Sequence, residues 1–144
     1  RERFLPYIIE TSAGVDRTLL TCLVDAYEEE ELEGGKTRTV LHLAPAIAPI
    51  KAAIFPLVKR DGMPEIAQKI SSDLKPEFNT FYDDSGAVGR RYRRQDEAGT
   101  PFCITVDSQT LEDDTVTIRE RDSMEQKRVS VQKIKSAIAE RIRS

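Results

Sequence analysis

Three observations predict an α/β fold built on a mixed, mainly parallel β-sheet with flanking helices. Apolar runs of buried-strand length recur at residues 51–55, 78–82 and 102–106. Two segments with helical spacing separate them, so the chain reads β-α-β-α-β, the order of parallel strands joined by right-handed crossovers. After a polar turn at residues 107–114, residues 115–121 alternate between apolar and polar, as a strand with one covered face does.

Composition sets the bounds. The 144 residues, 39% of them hydrophobic, leave room for one compact domain plus an appendage. A formal net charge of -3 excludes a globally basic polyanion binder, so any such site is a local patch. Cys22 and Cys103 sit in apolar segments and form neither a CxxC pair nor a disulfide framework, which fits reduced, buried thiols in a cytosolic protein. No apolar run approaches the roughly 20 residues of a spanning helix, and no signal-peptide pattern is present. The chain opens on Arg1, Glu2 and Arg3 and enters LPYIIET at once, so we expect a fragment that begins inside a domain.

Leu5 to Glu10 reads as a short buried strand, with Pro6 tolerated near its start. Ser12 and Gly14 end it. Beyond Asp16, Leu20, Leu23, Val24 and Tyr27 recur at i, i+3, i+4 and i+7, the apolar stripe of an amphipathic helix. Arg17 falls in its first turn, where the helix dipole favours anions; a bound anion, or pairing with Asp16 or Glu10, would account for it.

Glu28 to Glu33 then places five acids in six residues ahead of Gly34 and Gly35. Like charges one turn apart weaken a helix end, so this connector is expected to be a solvated, mobile loop. Thr39 to Leu43 is expected to return to the first unit as a strand. Pro45 and Pro49 mark a boundary. His42, the only histidine, has no cysteine or acid at metal-ligand spacing, so a structural role and no metal site are expected.

Lys51 to Phe55 forms the next strand, stopped by Pro56. Pro64 opens a helix whose Ile66, Ile70 and Leu74 repeat every four residues, with Pro76 just beyond its end. After the strand Phe78 to Tyr82, Asp84 or Ser85 is placed to cap a helix that Gly99 stops, and Phe102 to Val106 follows. Thr115 to Arg121 sets Val116 and Ile118 on one face and Thr117, Arg119 and Arg121 on the other, as an antiparallel neighbour of that strand. Ser130 can cap a last helix that turns Val131, Ile134, Ile138 and Ile142 to the core.

On a wheel of the middle helix, Val88, Tyr92 and Gln95 share one side while Arg90, Arg93 and Arg94 gather opposite, with Arg91 at the flank. Glu97 partly neutralises Arg93. Such a cluster is either a solvated face or a site for phosphates and base edges, which the guanidinium fork suits. Gly86-x-x-Gly89 does not make a mononucleotide site, because capping groups and the Asp83 and Asp84 carboxylates stand at that helix start.

IETSAGVDRTLL resembles the third signature motif of class II aminoacyl-tRNA synthetases, in the form of the glycyl-tRNA synthetase family; Thr11 stands where many relatives carry proline. APIKAAIFPL, YDDSGAVGRRYRRQDEAGTPFCITVD and TLEDDTVTIRERDSMEQKRV resemble the anticodon-binding domain of the class IIa branch. The resemblance implies that residues 1–44 are the tail of a catalytic domain and residues 45–144 the anticodon-binding domain. Arg17 would be catalytic, binding ATP phosphate with Gly14 and stabilising charge as pyrophosphate leaves, and Glu10 and Ser12 would hold glycine. The anticodon candidates are Arg90, Arg91, Arg93, Arg94, Arg119, Arg121 and Gln126.

The same resemblance implies a parent enzyme that uses ATP with Mg2+ to join glycine to tRNA(Gly), as a homodimer in the cytoplasm or as a mitochondrial isoform, away from membranes. The first and second signature motifs are absent from this sequence, so the chain alone is expected to be inactive and to hold no cofactor or metal. A non-catalytic binding or assembly module, like the accessory subunit of the mitochondrial DNA polymerase, is the alternative. Threonyl, prolyl and histidyl synthetases have related domains. The set Glu10, Ser12, Gly14 and Arg17 argues against the accessory module, and the form IETSAGVDR argues against the other synthetases.

Overall fold

The computed structural model describes residues 3–32 and 34–143. Residues 3–14 have no regular secondary structure, so the strand expected at Leu5 to Glu10 does not form. A lone extended segment finds no ladder partner for its N–H and C=O groups, and Phe4, Leu5, Tyr7, Ile8 and Ile9 remain exposed. Helix α1 (Val15–Ala26) does form. Its apolar stripe stays open to solvent at Leu19, Leu20 and Val24, and only Ala26 is buried.

The acidic connector is not a loop. It forms strand β1 (Tyr27–Leu32), which pairs antiparallel with β2 (Lys36–Leu41) from Tyr27 opposite Leu41 to Leu32 opposite Lys36. Gly34 and Gly35 turn the chain with φ of 82° and 71°, a conformation that glycine enters without the Cβ penalty. Accordingly, the run at Thr39 to Leu43 pairs with the acidic strand rather than with residues 5–10.

The main sheet contains β3 (Ala52–Pro56), β4 (Thr80–Tyr82), β5 (Phe102–Val106), β6 (Thr115–Glu120) and β7 (Gln126–Ser130), in the order β4-β3-β5-β6-β7. Strands β3, β4 and β5 are parallel, β6 runs antiparallel to β5 and β7 antiparallel to β6, which gives the expected mixed sheet. Helix α2 (Met63–Leu74) follows Gly62, with Pro64 in its first turn, and buries Met63, Ala67, Ile70, Ser71 and Leu74 on one face. Together with α5 (Ile134–Arg143) it covers the sheet face formed by Ala52, Ile54, Phe102, Ile104, Val116 and Ile118. Helix α3 (Val88–Glu97) is laid on the opposite face, against Ala53, Phe55 and Cys103.

Four local expectations change. The polar turn at 107–114 holds the short helix α4 (Ser108–Asp113), closed by a capping box in which Asp107 accepts from Thr110 N at 3.1 Å and Thr110 Oγ1 accepts from Asp107 N at 3.1 Å. The strand β7 is added at the sheet edge, where its Gln, Lys and Arg side chains can face water. Helix α3 starts at Val88 after Ala87 and has no side-chain cap; Asp83 instead accepts from Ser85 N at 2.8 Å. A short 3-10 turn, Val131–Lys133, leads into α5 without a cap from Ser130.

Candidate nucleic-acid interface

The sheet fixes which way α3 faces. Val88 and Tyr92 pack on Ala53, Phe55 and Cys103, with the Tyr92 and Phe55 rings edge-on at 5.6 Å. The Tyr92 hydroxyl lies 2.6 Å from Thr105 Oγ1. Burial raises the Tyr92 phenol above its ordinary range, with the Thr105 bond opposing it.

That docking divides the candidate arginines into two groups. Arg91 is 2% exposed, and its guanidinium donates to the main-chain oxygens of Pro56 and Gly86. Arg119 donates to both oxygens of Asp96 at 2.8 and 3.1 Å and stacks over Tyr92 at 5.0 Å. Arg121 donates to Gly99 O at 2.9 Å and to both Asp122 oxygens. These three were expected at the RNA surface; the structure corrects this, since their donors are turned inward onto fixed acceptors.

Arg90, Arg93, Arg94 and Gln126 remain at the surface. Arg90 is exposed beside Gly86 and has no carboxylate partner among the described residues. The Arg93 side chain is 42% exposed, its Nη1 3.6 Å from Asp96. Arg94 pairs with Asp83 and donates to Ser85 O at 2.9 Å while keeping an open edge. Burial pushes the Asp83 carboxyl up, but the Arg94 and Ser85 bonds outweigh it and hold Asp83 below the usual range. Gln126 opens β7, opposite Arg119 in the register.

Sequence reading missed the polar cluster beneath α3. Asp96 is fully buried and receives Arg119, Arg38 at 3.3 Å and Arg93. Arg38, itself 1% exposed, also contacts Glu30 at 2.6 and 2.9 Å and donates to Arg121 O at 3.0 Å. His42 extends the cluster outward: Nδ1 lies 2.6 Å from Asp122, and Nε2 lies 3.0 Å from Glu30 and 3.5 Å from Glu28. The hairpin fold thus supplies the acids that linear spacing around His42 does not show. Burial opposes ionisation of Asp122, but Arg121 and His42 hold its carboxyl below the usual range.

Glu10, Ser12, Gly14 and Arg17 lie exposed on the N-terminal segment and the first turn of α1. Ser12, Gly14, Asp16 and Arg17 line a shallow, open concavity there, and Gly14 leaves the helix start without a side-chain cap. Among the described residues, none of the four forms a hydrogen bond or ion pair with the arginine-bearing face of α3.

A mixed five-stranded sheet that presents a guanidinium-bearing helix makes this an α/β domain with a local basic surface. The chain belongs to the family described as "Anticodon binding domain", whose pattern matches residues 51–141. It is 59% identical to a glycine--tRNA ligase of Rhodopirellula baltica over 99% of its own length, and 56% identical to that of Borreliella burgdorferi over 96%. It spans only 27% and 31% of those two proteins. A crystal structure of prolyl-tRNA synthetase from Cryptosporidium parvum shares the fold, with a TM-score of 0.66 at 23% identity over 72% of this chain and 22% of that one.

Proposed function

We propose that this chain is the anticodon-binding part of a glycyl-tRNA synthetase together with the segment that carries its third signature motif. The observation that carries the reading is 59% identity to a glycine--tRNA ligase over 99% of the chain, so the relation extends through the N-terminal segment as well as the matched domain. The geometry supports a division of labour on α3. Arg90, Arg93 and Arg94 meet anticodon-loop phosphates, while Gln126 at the sheet edge is available to a splayed base.

In the whole enzyme, Glu10 and Ser12 would hold the glycine ammonium and Arg17 the ATP phosphates. The open N–H groups at the start of α1 suit a polyphosphate. Mg2+ fits less well: Asp16 is the one carboxylate in that concavity, too few oxygen ligands for the ion, so its seat lies with ATP and other parts of the enzyme. The parent enzyme acts as a homodimer in the cytoplasm in this reading. No helix among the described residues is long and apolar enough to cross a membrane.

Binding of the purified chain to tRNA(Gly), beside the same transcript with its anticodon replaced, tests the reading. Preference for the native anticodon is the expected result. Arg90→Gln should weaken both complexes and lower the salt slope by about 1. Equal binding to both transcripts would overturn base recognition by this chain.

A further inference from the structure

The polar cluster under α3 is more than the RNA face requires. Asp96 is buried beneath that face, and Arg38, Arg93 and Arg119, from different parts of the chain, converge on it. Buried ion clusters are poor sources of net stability, because desolvating the charges offsets much of their attraction. What the guanidinium fork supplies is geometry: Arg38 spends its donors on Glu30 in β1, Asp96 in α3 and the main chain of Arg121. An apolar contact of equal area would permit sliding, whereas this arrangement admits one register.

The hairpin held in this way is the direct continuation of α1. Ala26 ends the helix and Tyr27 begins β1, with no residue between them. The Ala26 carbonyl accepts from His42 N at 2.6 Å, so the base of α1 is tied to both strands. A second contact closes the other side. Gly99, just past α3, has φ of 76°, and a Cβ there would fall 2.9 Å from Leu43 Cδ1 and 3.1 Å from Leu41 O. Backbone meets backbone with no slack.

We infer that Arg38 and Asp96 form a joint that fixes α1, and with it Arg17, at a set orientation to the RNA-bearing helix α3. They are positioning residues for transfer of glycine to bound tRNA. The inference rests on the function proposed above. Arg17 stands nine residues before Ala26, about 14 Å at the helical rise, so a small rotation at the joint moves the phosphate-binding end by a larger distance. Neither residue is required to bind RNA or ATP itself.

The full-length synthetase carrying Arg38→Met, Asp96→Asn or both provides the test. Glycine-dependent ATP–pyrophosphate exchange, which needs no tRNA, and anticodon stem-loop affinity should stay within about threefold, while kcat for tRNA charging falls about tenfold or more. The double variant should lose less than the sum of the two single losses, because the Arg38–Asp96 contact is removed in each. Arg38→Lys, which keeps the charge without the fork, should behave like Arg38→Met. Unchanged charging, or exchange and RNA affinity that fall in step with charging, would overturn the inference. If the unmodified enzyme does not charge tRNA(Gly), the functional reading itself fails. The joint is then tested by hydrogen exchange in this chain, where Arg38→Met must deprotect 27–41 before 52–56, and equal protection overturns it.

Discussion

At Cys103, burial under α3 pushes the thiol up to about 12, with Arg119 opposing the shift and Asp96 adding to it. The thiolate is therefore disfavoured in the folded state alone. Between the ordinary thiol range near 9 and about 12, the unfolded chain binds fewer protons than the folded one, so this contribution to stability is intact below pH 9 and is lost as pH rises. The slope reaches roughly 1.4 kcal/mol per pH unit at most. We expect Cys22, half-buried on α1, to react with a thiol reagent at pH 8 while Cys103 reacts only on denaturation. Rapid native labelling of both would contradict the packing of α3. The same burial explains why sequence could not sort the arginines. Periodicity identifies a face, but Arg91 is drawn inward by the carbonyls of Pro56 and Gly86, which are distant in sequence or hidden in a turn.

The β-α-β-α-β series was legible because its strands are apolar runs and its helices carry regular stripes. Elements held by charge were not. Strand β1 reads as solvated from its glutamates alone, and it becomes a strand because Glu30 meets Arg38 and His42 across the hairpin. Strand β7 is polar for the opposite reason, as an exposed edge. Leu5 to Glu10 is the reverse error: its apolar pattern reads as a strand, yet no ladder partner meets it among the described residues. Of the proposed RNA residues, the sequence located the helix and the side of it that the sheet covers, with Arg90, Arg93 and Arg94 opposite, but not the burial of Arg91 at the flank or of Arg119 and Arg121. The contact at Gly99 gives the element-level prediction. Gly99→Ala must place a Cβ in the left-handed region and into Leu41 and Leu43, costing roughly 2–4 kcal/mol of unfolding free energy in urea titration. A loss below about 1 kcal/mol would show that the hairpin can shift aside.

From the N-terminal segment to the hairpin, burial increases: residues 3–14 are exposed, α1 is buried only at its end, and the hairpin is docked. Chymotrypsin should therefore cut first within residues 4–9, at Phe4 or Tyr7, and leave residues from 27 onward intact, as mass spectrometry of the products would report. First cuts within 27–41 would mean that the hairpin is not docked. The long reach of the Arg38 contact also bears on biosynthesis. Its partner Asp96 is 58 positions later, a delay of about 3–12 s at ordinary ribosomal speed. Until then Arg38 has Glu30 across the hairpin but not Asp96, and the undocked hairpin's open edge is free to recruit a neighbouring nascent strand. Glu28 to Glu31 line β1 with negative charge during that interval, so the residues that make the hairpin look like a tether also guard it against mispairing before its partner is made.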